Sequence, residues 1–372
     1  MSSRVYLDYN ATCPVRPHVK EAIISALNVA GNASAQHRHG RSAAQVIGDA
    51  REAVALAMGV CSGDLIFNGG GTEGDNTAIY SAMRAGCKRM LISGMDHPAT
   101  ILAAESFGIT SEEIPTDLEG STDTAWLKER LSNWDVSDGR PFVSIVAANS
   151  ETGVLQDIET ATELVRAADG LILVDAVQAL GKIPMTFIPD YMAVSAHKIG
   201  GPHGVGALYV SPDAPYTPLL SGGGQERRRR AGTSNVAGIA GFGAAAKQLP
   251  KFEHTAALRD HLETELKRLE PSLTVFGDKA ERLPNTSLFA VPDASSMTLM
   301  MQLDLEGISV STGTACSSGK TGESRSVKAM GRLDAAPKGV IRVSLGEDST
   351  IDDVETFLRA WRKIRKSQMK AA

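Results

Sequence analysis

Tyr191-Met192-Ala193-Val194-Ser195-Ala196-His197-Lys198, followed by Gly200-Gly201-Pro202, is the stretch whose reading decides the fold. The apolar run reads as a strand, and the glycines and proline end it sharply, so one lysine stands at a tight strand end. A lysine there is placed for covalent chemistry, although a surface loop lysine has the same local sequence. A second apolar run, Leu171-Ile172-Leu173-Val174, ends on Asp175, far enough upstream for two neighbouring strands and one connection. Alone, Asp175 reads equally as a strand-end cap. Together the two residues point to pyridoxal phosphate (PLP), which needs a lysine to hold its aldehyde as a Schiff base and an acid paired with its pyridinium nitrogen.

Outward from this pair, short β-like runs alternate with helical patterns over residues 65–210: Leu65-Ile66-Phe67, Met90-Leu91-Ile92, Phe142-Val143-Ser144-Ile145-Val146, and the runs before Asp175, Ser195 and Ser211. The alternation predicts an α/β fold, a mostly parallel sheet with helices on both faces, and ligands in such sheets bind at the carboxyl ends of the strands. Polar and glycine residues gather just there: Gly69-Gly70-Gly71-Thr72, His97, Asn149-Ser150-Glu151, Asp175, and Ser195-Ala196-His197-Lys198. After Gly238 the pattern changes. A helical stretch at 251–269, β-like runs at 273–276 and 287–290, a helix at 297–305, a strand at 340–344 and a last helix predict a smaller C-terminal α+β domain.

The chain has 372 residues, enough for about two domains and a large core. A formal net charge of −5 argues against a general nucleic-acid or anionic-membrane binder. The run Arg227-Arg228-Arg229-Arg230 reads as a solvated loop or as help for a phosphate or an acidic partner. The four cysteines, Cys13, Cys61, Cys87 and Cys316, show no CxxC pair and no spacing that frames a zinc site or a disulfide scaffold, so reduced thiols in the cytoplasm are expected. No signal-peptide pattern and no stretch of about 18 uncharged apolar residues appears, and no membrane partner is expected.

Several further residues carry chemistry. Gly69-Gly70-Gly71-Thr72-Glu73 follows a strand and opens a helix near Glu73, so backbone N–H groups and the Thr72 hydroxyl can cradle a phosphate, or the glycines serve the turn alone. The absence of GxGxxG and GxxxxGK[ST] there argues against dinucleotide and P-loop sites. His97 can stack on a flat cofactor and shuttle protons, or is an inert loop histidine. Gln178, three positions past Asp175, can reach a ring oxygen or serve as a polar helix start. Cys316 sits in Ser311-Thr312-Gly313-Thr314-Ala315-Cys316-Ser317-Ser318-Gly319, a loop of small polar residues that exposes it as a candidate nucleophile. Arg342 interrupts the apolar strand Val340-Ile341-Arg342-Val343-Ser344, as either a carboxylate fork or a strand-edge arginine.

In order and combination these motifs resemble the cysteine desulfurases of the class V aminotransferase family. The similarity runs over nearly the whole chain, from Leu7-Asp8-Tyr9-Asn10-Ala11-Thr12 through Gly70-Gly71-Thr72-Glu73, Glu151-Thr152-Gly153, Asp175-Ala176-Val177-Gln178 and Ser195-Ala196-His197-Lys198. It continues in Gly222-Gly223-Gly224-Gln225-Glu226, Gly232-Thr233 and the Cys316 loop to Arg342-Val343-Ser344-Leu345-Gly346. The resemblance implies a fold-type I PLP enzyme with a large domain at 14–250 and a small domain formed by 1–13 and 251–372. It implies that Lys198 binds PLP covalently, Asp175 pairs with the ring nitrogen, Gln178 contacts the ring hydroxyl and His97 stacks on the ring. Gly71, Thr72, Ser195 and His197 would hold the phosphate, Thr233 would reach the phosphate of the other subunit of a homodimer, and Cys316 would accept sulfur from L-cysteine. Ser150 and Asn149 occupy the place where the family usually has two asparagines that help to hold cofactor and substrate, with Arg342 on the substrate carboxylate.

The chain departs from the family pattern at Ser150, at Arg228 and Arg229, where a glycine and an apolar residue are common, and in Gly31-Asn32-Ala33-Ser34, which lacks a proline. The implied reaction gives L-alanine and a persulfide on Cys316, destined for an acceptor protein such as an iron–sulfur scaffold. Two alternatives stand beside it: a related PLP lyase or aminotransferase, for example one acting on selenocysteine, and a non-catalytic PLP-binding scaffold. Cys316 argues against the first, because transamination needs no thiol. Lys198 and Cys316 together argue against the second.

Overall fold

In the computed structural model, which describes residues 4–313 and 323–371, the strand that ends at Ser195 lies inside a seven-stranded sheet. Across that sheet the strands are Leu65–Asn68, Gly206–Val210, Tyr191–Ser195, Leu171–Asp175, Phe142–Val146, Arg89–Ser93 and Thr110–Ile114. Gly206–Val210 pairs antiparallel on both sides, and the other six strands share one direction.

Five of these strands are buried along their whole length. That is why their sequences read as continuous apolar runs rather than as alternation. Alternate side chains leave on opposite faces. Val143, Ile145, Ile172, Val174, Met192 and Val194 enter one core with the helices Arg38–Met58, Ile158–Ala167 and Val236–Lys247. Phe142, Leu171, Leu173, Tyr191 and Ala193 enter a second core beneath Gly71–Arg84 and Pro98–Ser106. With roughly 1.5–3 kcal/mol for each large apolar side chain taken out of water, these two layers drive the folding of the sheet.

Two features differ from the sequence expectation. Thr110–Ile114 has no apolar signature because it is the sheet's edge, where exposed polar residues are tolerated and Glu112 and Glu113 discourage pairing with another chain. The change of pattern placed after Gly238 falls one helix later. Ile239 and Phe242 of Val236–Lys247 belong to the first core, and the glycines and alanines of that helix let it pack closely.

A four-stranded antiparallel sheet follows, ordered Ser311–Thr312, Ile341–Ser344, Thr286–Ala290 and Thr274–Val275. Its core gathers Leu262, Leu266, Phe289, Leu303, Phe357 and Trp361, partly from the helices Thr255–Leu269, Ser296–Leu305 and Ile351–Ala371. The start of the chain packs here too. Val5–Tyr6 pairs parallel with Ile308–Ser309, Leu7 enters the core, and Asp8 bridges to Ser344. This delivers Asn10 and Ala11 to the carboxyl end of the large sheet.

One segment is conformationally strained. Glu226, Arg227 and Arg228 take φ of 46°, 57° and 68°, the left-handed region that non-glycine residues enter at a cost of about 1–2 kcal/mol each. The segment is held by Glu226, whose carboxylate accepts from Arg51 at 2.7 Å and from the Phe67 N–H at 3.0 Å. Arg228 is exposed and has the least to hold it. R228G should therefore stabilise the protein by about 1 kcal/mol in urea unfolding; an unchanged or lower midpoint would show that the conformation is relaxed by something other than the local backbone.

Candidate active site

The carboxyl ends of the parallel strands open into a cavity of about 280 Å³, a size for a compact ligand. Arg89–Ser93 leads through Met95 to His97, and Phe142–Val146 leads to Ser150. Asp175 ends one strand and is followed by Val177 and Gln178, while Ser195 ends the next and is followed by His197 and Lys198. The helix Gly71–Arg84 adds Gly71, Thr72 and Asp75, and Asn10, Ala11 and Arg342 close the opposite wall.

The amine of Lys198 donates to the main-chain carbonyls of Asn10 at 2.5 Å and Ala11 at 2.9 Å. Asp175 is buried and accepts from the Val177 N–H at 2.9 Å. Burial pushes its carboxyl above the usual range, against the pull of His97 and Lys198. Asp75 beside it is pushed well up by burial and by the negative charges of Asp175 and Asp96, and its Oδ1 has no hydrogen-bond partner among the described residues. Two buried acids thus face the cavity. The Nδ1 of His97 accepts from the Ala99 N–H at 3.1 Å, capping Pro98–Ser106, so the proton of the neutral ring sits on Nε2.

At the other end, Ser195 Oγ and His197 Nδ1 lie 2.8 Å apart. Burial, with Lys198 and His203 adding, pushes His197 down to about 4. Gly70 precedes the helix at φ 144°, and a Cβ on Gly71 would come within 2.5 Å of a Val177 methyl, so only glycines leave this cradle open. The first N–H groups of Gly71–Arg84 point out of the helix there. The donor set fits PLP: helix N–H groups, Thr72, Ser195 and His197 suit a phosphate, the buried acids suit a ring cation, and Lys198 suits an aldehyde.

Arg342 is 5% exposed and donates to Asp8 Oδ1 at 2.7 Å and to the Ser150 carbonyl at 3.0 Å. Its Nε is buried with no hydrogen-bond partner among the described residues.

Three sequence candidates are not among the residues lining this cavity. The Asn149 amide donates to the Met95 carbonyl at 2.9 Å, and its oxygen takes the N–H groups of Glu151 and Thr152 and the Thr152 and Ser326 hydroxyls. That side chain is spent on locking its own turn. Thr233 lies in a separate groove with Arg230 and Asn235. Cys316 lies outside the described residues. Asn10 and Asp75, in turn, carry no role in the sequence reading, although Asp75 stands one helical turn past Thr72 on the helix that the glycines open.

Comparison with known proteins agrees with this geometry. The family model for Aminotransferase class-V matches residues 5–357. A cysteine desulfurase from Cereibacter sphaeroides is 38% identical over 95% of this chain and 94% of its own length. Cysteine desulfurase IscS from Dictyoglomus turgidum is 35% identical over 98% and 95%. The X-ray structure of a NifS-like protein from Rickettsia africae superposes with a TM-score of 0.88 at 32% identity, covering 98% of this chain and 99% of that one.

The acid next to His97 generates a pH prediction. Asp96 accepts from Ser144 Oγ at 2.5 Å and from the Val146 N–H at 2.6 Å, and burial pushes it up to about 7. The folded chain keeps this proton at pH values where the unfolded chain has lost it. Its contribution to stability is therefore present near pH 4 and is lost as pH rises to about 7, by on the order of 4 kcal/mol. In D96N the amide can donate to Ser144 and its oxygen accept from Val146, with nothing to titrate. The cofactor-free D96N protein should gain on the wild type between pH 4 and 7 in urea unfolding; parallel pH profiles would sink this account.

Proposed function

We infer that this chain, which belongs to the class-V aminotransferase family, is a PLP-dependent cysteine desulfurase that converts L-cysteine to L-alanine and takes the sulfur onto a cysteine of its own. The observation that carries the reading is the match to cysteine desulfurases over nearly the full length of both chains. None of the relatives reported above bears the name of a lyase or a scaffold.

Bound PLP supplies an electron sink for the substrate Cα. In our reading Gly71, Thr72, Ser195 and His197 hold its phosphate, Asp175 its ring nitrogen and Gln178 its ring hydroxyl, while His97 lies on the ring. Burial, with the charges of Asp175 and Asp96 adding, pushes Asp75 well up, while His97 and Lys198 favour the charged form of Asp175. Lys198 holds the cofactor at rest and, as a free amine, takes the proton from the substrate Cα, steered by the carbonyls of Asn10 and Ala11. Arg342 binds the substrate carboxylate through its unpartnered Nε–H, with Asp8 and the Ser150 carbonyl holding the rest of the guanidinium still.

Cys316, as thiolate, then attacks the substrate sulfur. An S–S bond forms, the Cβ–S bond breaks, and its electron pair stays with carbon, which is protonated to the methyl group of alanine. L-cysteine and a thiol give L-alanine and a persulfide, with no outside oxidant. We further propose a homodimer in which Thr233 reaches the phosphate of the other subunit, and delivery of the persulfide sulfur to an acceptor protein such as an iron–sulfur scaffold. The domain division at 14–250 against 1–13 with 251–372 belongs to the same proposal. Persulfide chemistry needs a free thiol, which supports work in the cytoplasm, where thiols stay reduced. No helix among the described residues is long and apolar enough to cross a membrane.

Purified protein should show a cofactor band near roughly 400 nm that shifts when L-cysteine is added, with alanine accumulating in step. C316A should keep the band and lose alanine formation at least about a hundredfold, as loss of a nucleophile does. K198A should lose the covalently held cofactor. Alanine made at the wild-type rate by C316A would overturn the role given to the thiol.

A further inference from the structure

Behind the cavity wall lies an amine that none of these roles uses. Lys182 is 8% exposed, and its Nζ donates at 2.7 Å to Gln178 Oε1 and at 2.7 Å to Asn10 Oδ1. Gln178 Nε2 donates to the Asn10 carbonyl at 2.8 Å, and Lys198 donates to that same carbonyl at 2.5 Å. Two lysines thus meet on the two oxygens of one asparagine. Asn10 is itself pinned: its N–H donates to Ser344 Oγ at 3.0 Å and its Nδ2 to Thr286 Oγ1 at 2.9 Å.

A glutamine amide presents either an acceptor or two donors, and only its partners decide which. Lys182 has no acceptor to offer the NH2 end when charged, so it draws Oε1 toward itself and turns Nε2 toward Asn10 and the cavity that Gln178 lines. An oxygen-bearing cofactor ring there meets donors rather than a lone pair. We propose that Lys182 is a positioning residue, which holds Gln178 donor-side toward the ring oxygen of PLP and holds the Asn10 carbonyl at the amine of Lys198. The inference rests on the desulfurase reading above, because it requires PLP in the cavity.

The charge of Lys182 bears on its neighbours. Burial pushes it down to about 7; the Cys13 thiol opposes this, and Lys198 and Arg342 add to it. A neutral amine keeps two N–H donors, matched to its two acceptors, and the third proton of the ammonium form has the Phe252 ring, 5.5 Å away, as company. The contacts therefore survive on both sides of neutrality, while the positive charge near Lys198 does not.

The test compares the wild-type holoenzyme with K182M and K182Q. Wild type must first take up PLP and form alanine from cysteine; failure there removes the desulfurase reading and this inference with it. K182M, with circular dichroism matching the wild type, should bind PLP about tenfold more weakly, the loss expected for one misoriented hydrogen bond. The pH midpoint of its cofactor absorbance should move by about one unit, since a charge near the amine is gone. K182Q, which keeps an NH2 donor without the charge, should recover affinity but not the midpoint. A folded K182M with wild-type affinity and midpoint overturns the inference alone. Should K182M not fold, wild type labelled with 15N-lysine answers instead: the buried amine resonance should move when PLP is added, and one that stays in place refutes the role.

Discussion

Strands buried on both faces leave a chain no place for polar chemistry except at their ends. In this protein the four central strands of the large sheet are enclosed between two apolar cores, so each first meets polar groups where it leaves the sheet. Six of the strands run the same way, and the helix Gly71–Arg84 starts at this end with its first N–H groups outside the helical ladder. Asp175, Ser195, His197, Lys198 and His97 need no long-range plan to converge. Parallel pairing brings them together as a consequence of burying the runs before them.

The same burial sets the electrostatics. Desolvation penalises every charge at this sheet end, and the penalties are sorted by position. Asp75, Asp96 and Asp175 are all pushed up by burial, and the charge of Asp175 raises the other two further. His197 and Lys182 are both pushed down. Of these groups Asp75, Asp175 and His197 line the cavity itself, while Asp96 and Lys182 stand behind it.

How much of this was legible in the sequence depends on whether a residue's role is set locally. Lys198 and Asp175 were readable because an apolar run followed by a break fixes which residue emerges first. The glycine turn that opens Gly71–Arg84 was readable because glycine before a helix has a backbone meaning. The partners of Asn149 were not readable, because an asparagine beside a turn can serve the turn or a ligand, and only the fold brings Met95, Thr152 and Ser326 to it. Thr110–Ile114 was unreadable, since an edge strand need not be apolar. Lys182 follows Gln178 by four residues and looks like any surface lysine, until Asn10 arrives from the far end of the chain to hold it inside.

Asn10 shows why the two ends of the chain had to be joined before the site could exist. Its position depends on Val5–Tyr6 pairing with Ile308–Ser309 and on Asp8 and Asn10 both engaging the strand Ile341–Ser344. That strand also carries Arg342, whose guanidinium is braced by Asp8. The Arg342 guanidinium and the Asn10 carbonyl that accepts from Lys198 are therefore set by one short ladder, remote in sequence from the sheet that supplies the lysine. A small shift of the four-stranded sheet would move Arg342 and Asn10 together, keeping their spacing while changing their distance from Lys198. The placing of Asn10 and Arg342 against Lys198 thus depends on the packing of Leu7, Phe289 and Trp361 as much as on any group in the cavity.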